Sequence, residues 1–71
     1  MDFDYRKLKG RIKEKFDTQE KFADALGIGR TTISQRLSNK SEFSQEEIKR
    51  SCDLLKIPPE LISEYFFTLL V

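Results

Sequence analysis

Gln19-Glu20-Lys21-Phe22-Ala23-Asp24-Ala25-Leu26-Gly27-Ile28-Gly29-Arg30-Thr31-Thr32-Ile33-Ser34-Gln35-Arg36-Leu37-Ser38 holds two helical patterns broken by one short, glycine-bearing turn. Phe22, Ala23 and Leu26 form the apolar edge of the earlier helix. Gly27 stops it, supplying the left-handed residue with which helices commonly end and the positive φ that a tight turn demands. Ile28 then points inward, and the later helix runs from Gly29 or Arg30 to Ser38, anchored by Ile33 and Leu37 one turn apart. Ala23 is small where the two helices must approach closely, and Leu26, Ile28 and Ile33 fill the wedge of a steep crossing. The rest of the later helix is polar and rich in hydrogen-bonding groups. A helix held by one narrow stripe is either peripheral or presented to a polar ligand.

Upstream, Tyr5, Leu8, Ile12 and Phe16 recur at helical spacing and predict a first helix that Asp2 or Asp4 can cap. Gly10 lies inside it and suggests a close backbone approach there, by a neighbouring helix or by a phosphate. The opposite face carries Arg6, Lys7, Lys9, Arg11, Lys13 and Lys15, relieved only by Glu14. Asp17 or Thr18 starts the second helix, and Glu20 completes a capping box if Asp17 is the cap. Downstream, Asn39-Lys40-Ser41-Glu42 reads as a loop. Ser44 and Glu47 make a capping box, with Phe43 as staple, ahead of a fourth helix whose inner face is Ile48, Cys52 and Leu55, helped by Leu54. Ile57-Pro58-Pro59 ends that helix, and Pro59 can open a short fifth one through Leu61, Ile62 and Tyr65. The apolar tail Phe66-Phe67-Thr68-Leu69-Leu70-Val71 reads as a strand or an extended segment.

Seventy-one residues are enough for a single core and a single domain. The chain has one cysteine and no histidine, which excludes an internal disulfide, His-dependent nucleophilic catalysis and a Cys/His metal site. Cys52, among apolar residues at helical spacing, reads as a small buried hydrophobe. No cofactor is expected, nor a small-molecule ligand. Apolar runs are short and no signal segment is recognisable, so no membrane partner is expected and the location should be cytoplasmic. The net charge of +1 hides an asymmetry: residues 1–40 hold ten Lys/Arg against six Asp/Glu, residues 41–71 three against six. One face therefore suits a polyanion, although an unevenly charged solvated surface gives the same count.

The quoted stretch resembles the helix-turn-helix of the phage repressor and Cro proteins and their bacterial relatives. The basic first helix, the Asn39-Lys40 loop, the Phe43-Ser44 entry to the fourth helix and the ending Glu64-Tyr65-Phe66-Phe67 look like those of short phage-encoded Cro-like regulators. The resemblance covers nearly the whole chain. It implies an all-α, lambda-repressor-like DNA-binding domain over residues 1–71, a compact bundle of four to five short helices with the motif near 18–38. It also implies a transcriptional regulator of the Cro-like repressor type, acting as a dimer by occluding an operator in double-stranded DNA.

Matched by position, the resemblance assigns Arg30, Thr31, Ser34 and Gln35 to base edges. Their chemistry suits it, since Arg grips guanine O6 and N7, Gln grips adenine N6 and N7, and Thr can meet the thymine methyl. Gln19, Lys40, Arg11 and Lys7 would bind phosphates, Gln19 at a helix N-terminus that already favours an anion. Thr32 reads as packing, and Arg36 as laying its stem over the core. Phe3, Phe22 and Phe43 read as core residues or staples.

The final eleven residues hold eight apolar ones, Leu61, Ile62, Tyr65, Phe66, Phe67, Leu69, Leu70 and Val71, more than a domain of this length can readily hide. Segment 58–71 is therefore expected to serve a homodimer through Leu61, Tyr65, Phe66, Phe67 and Leu69, unless the tail folds back to finish the monomer core. The rival reading is a protein-interaction module or antirepressor that keeps the fold and binds protein through its apolar tail. An antitoxin would need a toxin-binding segment for which there is little room, and an enzyme finds no support.

Overall fold

The computed structural model describes residues 2–71. In it the chain forms α1 (Arg6–Phe16), α2 (Gln19–Leu26), α3 (Arg30–Leu37), α4 (Gln45–Leu55), a 3-10 turn (Pro59–Leu61) and α5 (Ile62–Phe66). The all-α bundle expected from the periodicity is the one observed.

Local chemistry sets each boundary. Asp4 Oδ1 accepts the Arg6 amide at 3.0 Å and opens α1. Thr18, not Asp17, caps α2, its hydroxyl accepting the Lys21 amide at 3.1 Å. Asp17 sits at φ 72° and closes α1, so the alternative Asp17–Glu20 box does not form. The Ser44–Glu47 box forms as its spacing predicts, with bonds of 3.0 and 3.1 Å. Three further helices end at positive φ: Gly27 after α2, Asn39 after α3 and Lys56 after α4. In each case the next amide reaches back five residues: Ile28 to Ala23, Lys40 to Gln35, and Ile57 to Cys52. These are Schellman ends, and they satisfy carbonyls the helices would otherwise leave bare.

Helix α2 is central, packing on α1, α3 and α4. Leu8, Ile12, Phe22, Leu26, Ile33, Leu55 and Phe66 are fully buried around it, with Ala23 at the close approach. Cys52 lies in the same core, where burial pushes its thiol pKa up and keeps it protonated and inert. Phe22 is fully buried, and Phe3 and Phe43 are partly buried against the core, as read from the sequence. Gly10 is different. A Cβ there would meet no atom within 4 Å among the described residues, so no neighbouring helix requires the glycine.

The tail is extended, and its partner is the N-terminus. The Asp4 amide donates to the Thr68 carbonyl at 2.7 Å and the Leu70 amide to the Asp2 carbonyl at 3.0 Å, with Phe3 opposite Leu69 in an antiparallel bridge. In such a pair the backbone groups of Phe3 point away from Leu69. Asn39 occupies that outer edge: its Oδ1 accepts the Phe3 amide at 2.9 Å and its Nδ2 donates to the Phe3 carbonyl at 3.0 Å. One carboxamide thus does the work of a third strand and ties both termini to the loop after α3.

The expected dimer surface needs one correction. Phe66 is 1% exposed and stacks edge-on against Phe43 with centroids 5.2 Å apart, so it belongs to the monomer core. Leu61, Ile62 and Tyr65 are half-buried. Phe67 and Leu69 are each 50% exposed, and Leu70 and Val71 are exposed beside them.

Candidate nucleic-acid interface

Helix α3 is fixed from below and open above. Ile33 and Leu37 are buried, and Thr32 is half-buried beside Gly29, fitting its reading as packing. Arg30, Thr31, Ser34 and Gln35 are exposed together on the outer side. Among the described residues, no hydrogen bond engages the side chains of Thr31, Ser34 or Gln35. Arg30 reaches Asp24 at 3.3 Å, with both side chains well exposed, a pair worth little in water. The four base-reading candidates therefore share one accessible surface. Gly29 gives α3 no side-chain cap, so its first amides face outward without an internal acceptor.

The four phosphate candidates divide. Gln19 is the first residue of α2 and Lys40 is exposed in the loop after α3, so both lie next to the α2–α3 unit. Arg11 is drawn elsewhere. Its Nε donates to the Leu55 carbonyl at 2.8 Å, Nη2 to the Lys56 carbonyl at 3.2 Å, and Nη1 to Glu14 at 2.7 Å. That guanidinium closes the end of α4, where exposed carbonyls and the helix dipole favour a cation. Lys7 is also engaged, 2.8 Å from Glu64 and 5.0 Å above the Tyr65 ring, joining α1 to α5. Neither side chain needs a phosphate to explain its position.

Sequence reading missed a polar network at the other end of α3. Arg36 does more than cover the core. Its Nε and Nη2 donate to Glu47 at 2.9 and 3.3 Å, and its Nη1 donates to the Ser41 hydroxyl at 2.6 Å. Glu47 also closes the α4 capping box, so a single carboxylate joins α3 to α4. The hydrogen bonds from Arg36 hold the Glu47 carboxyl below its usual range against the opposing effect of burial, and Glu47 in turn raises the Arg36 guanidinium. The sequence did carry half of this signal, since Glu47 was visible as the box residue. Its second partner required the fold.

A family described as "Protein of unknown function (DUF739)" matches residues 1–69. The chain belongs to the DUF739 family. The fold of this DUF739 chain is also found in the solution structure of the modulator of repression (MOR) of the temperate bacteriophage TP901-1 from Lactococcus lactis. The TM-score is 0.83 at 39% identity, covering 94% of this chain and 90% of that one. Comparison with curated proteins finds no match. The bundle is thus that of a small phage regulator. In this DUF739 chain no helix of the described residues is long and apolar enough to cross a membrane.

Proposed function

We propose that this chain is a phage regulator that binds double-stranded DNA sequence-specifically, with α2 and α3 as a helix-turn-helix and α3 in the major groove. The observation that carries the reading is the α3 surface. Its apolar residues face the core, while Arg30, Thr31, Ser34 and Gln35 stand exposed with their hydrogen-bonding capacity almost unused. Solvent would satisfy such groups equally well. What favours DNA is their chemistry, which suits base edges, together with a tight turn and a helix beneath them that would hold α3 as a unit. Lys40 and the N-terminus of α2 at Gln19 supply phosphate contacts on either side.

The mechanism is repression by occlusion in the cytoplasm. Two copies occupy half-sites about one helical turn, roughly 34–36 Å, apart and exclude polymerase. One short helix reads too few base pairs to select a site from a genome, so a second copy is required. Phe67 and Leu69, with support from Leu61 and Tyr65, provide surface for that contact. Selecting bound duplexes from a randomised pool tests the whole reading. Enrichment of an inverted repeat with one-turn spacing is expected, and a pool that stays random after repeated rounds overturns it.

A second reading is favoured by the exposed tail and by the relative's description as a modulator of repression. Here the chain acts as an antirepressor through a protein partner, and its helix-turn-helix serves as scaffold. Salt separates the two. Phosphate binding weakens steeply between 50 and 200 mM salt, by about a thousandfold or more for several contacts, whereas an apolar protein interface changes little.

A further inference from the structure

Gln35 is the base-reading candidate whose backbone is most restrained. Its carbonyl accepts three donors from the loop that follows: the Lys40 amide at 3.0 Å, the Ser41 amide at 3.3 Å and the Ser38 hydroxyl at 3.3 Å. The first of these is the Schellman bond made possible by Asn39 at φ 66°. The second depends on where Ser41 sits, and the 2.6 Å hydrogen bond from Arg36 to its hydroxyl fixes that position. Arg36 is in turn gripped by Glu47, whose Oε1 also accepts the Ser44 amide at 3.1 Å within the first turn of α4. A continuous path of hydrogen bonds therefore runs from α4 through Glu47, Arg36 and Ser41 to the carbonyl of Gln35. The links are largely screened from solvent, with the Arg36 and Glu47 side chains 19% and 12% exposed.

From this path we infer that Arg36, Ser41 and Glu47 are positioning residues for Gln35, setting the rotation of the α3 surface without touching DNA themselves. A bidentate contact to an adenine edge requires the carboxamide plane to be aimed within narrow limits, and a long side chain can be aimed only from a fixed backbone. The sequence reads Arg36 as laying its stem over the core. With Nε, Nη1 and Nη2 all engaged internally, it instead acts as a strut. The opposite end of α3 has no such device, since Gly29 gives no side-chain cap and Arg30 meets Asp24 in an exposed pair. Gln35 should consequently read its base more strictly than Arg30 reads its own.

The inference rests on the DNA-binding reading, and a double-mutant cycle on the full chain tests it. The probes are a duplex selected by the wild-type chain and a scrambled duplex of the same composition. Ser41→Ala, the mildest break in the path, and Glu47→Gln, which keeps an acceptor for the Ser44 amide, are each combined with Gln35→Ala. Either variant alone should lower preference for the selected duplex about tenfold, within the range of one bidentate contact, with affinity for the scrambled duplex and the salt slope unchanged. Added to Gln35→Ala, neither should lower it further, because both act through the same side chain. Additive losses, or equal losses on both duplexes, overturn the inference. If the wild-type chain prefers no duplex, the DNA reading itself has failed. Hydrogen exchange in the free protein then judges the positioning: the Lys40 and Ser41 amides should lose about tenfold in protection in Glu47→Gln while those of α1 do not. Unchanged protection at those two amides overturns it in that case.

Discussion

The outer face of α3 and the C-terminal tail are both exposed, but for opposite physical reasons. On α3 the exposed groups are polar and cost nothing to leave in water, and the helix carrying them is pinned by buried Ile33 and Leu37 and by the Arg36–Glu47 pair. In the tail the exposed groups are Phe67, Leu69, Leu70 and Val71, which water does not favour, and backbone bonds to Asp2 and Asp4 hold the segment. A rigid polar surface suits recognition by directed hydrogen bonds. An apolar segment held by its backbone suits burial against another surface. In the proposed function the two regions therefore serve different partners.

The sharpest break in that comparison is one residue wide. Phe66 lies in the core and Phe67 begins the exposed segment, so the same substitution at adjacent positions should have very different effects. Phe66→Ala should cost about 3–5 kcal/mol, enough to unfold a domain of this size, and Ile33→Ala about 2–5 kcal/mol. Phe67→Ala should cost about 0.5–1.5 kcal/mol, the scale of its edge-on contact with Phe3 at 5.7 Å. Thermal melting distinguishes them, and equal destabilisation at 66 and 67 would show that the tail is part of the core. If Phe67→Ala folds, sedimentation at micromolar concentration reads its effect on self-association. A wild-type chain that stays monomeric both free and on a palindromic duplex removes the dimer from the proposed function.

On the polar side the contrast lies between base and phosphate contacts. Arg30→Ala or Gln35→Ala should cost about 1–3 kcal/mol on the selected duplex and relax preference at one base pair. Lys40→Ala should weaken selected and random duplexes alike and reduce the salt slope by about one. If the base candidates behave like Lys40, the α3 surface is an electrostatic platform. Arg11→Ala should act on stability instead, because its guanidinium closes α4.

Acid provides a further handle on the underside of α3. The Glu47 carboxyl is held below the ordinary glutamate value of 4.5 by Arg36, so the folded chain binds that proton less readily than the unfolded one. The pair adds stability above that ordinary value and loses its contribution as pH falls through the depressed one. Asp4 behaves in the same sense, lowered from 3.8 to about 2 by its hydrogen bonds with Arg6, although that partner's side chain is 87% exposed and the pair contributes little. Stability is therefore expected to decline on acidification from about pH 4.5, and Glu47→Gln should flatten that decline. A wild-type acid limb superimposable on that of Glu47→Gln would mean that the pair contributes nothing in solution.

How far the sequence could be read follows from the range of the interactions. Helix starts, the Gly27 turn, the Ser44–Glu47 box and the split of α3 into apolar and polar sides are fixed by residues a few positions apart, so periodicity and capping chemistry exposed them. Asn39 bridging to Phe3, Arg11 reaching Leu55 and Arg36 reaching Glu47 join residues distant in sequence or on different helices, and no local pattern announces them. The same limit explains Phe66. Apolar count predicted that the tail could not all be hidden, but only the turn from α5 into the extended segment decides which phenylalanine faces inward. For the candidate site, helical periodicity separated the apolar stripe of α3 from its polar side, and the resemblance, matched by position, picked out the four residues that the fold leaves exposed there. Which lysines and arginines remained free was not legible, because their alternatives are carboxylates and carbonyls supplied by the fold.

Gly10 gives the smallest effect and the cleanest separation of stability from binding. It occupies the middle of α1, where glycine is less favourable than alanine by about 0.5–1 kcal/mol through the freedom it loses on folding. A Cβ at this position meets no described atom within 4 Å, so Gly10→Ala should stabilise the free protein by about that amount. The melting temperature should rise by several degrees, as expected for a domain of this length. What keeps a glycine there is then either nothing or something outside the monomer. The exposed face of α1 also carries Lys9 and Lys13, so an approaching phosphate backbone is the partner to test. If Gly10→Ala melts higher and binds the selected duplex with unchanged affinity and salt slope, α1 lies off the DNA and the interface is confined to α3, Gln19 and Lys40. If it melts higher but binds severalfold more weakly on both selected and random duplexes, a phosphate comes within reach of the α1 backbone. The polar region of the molecule would then extend across a second helix.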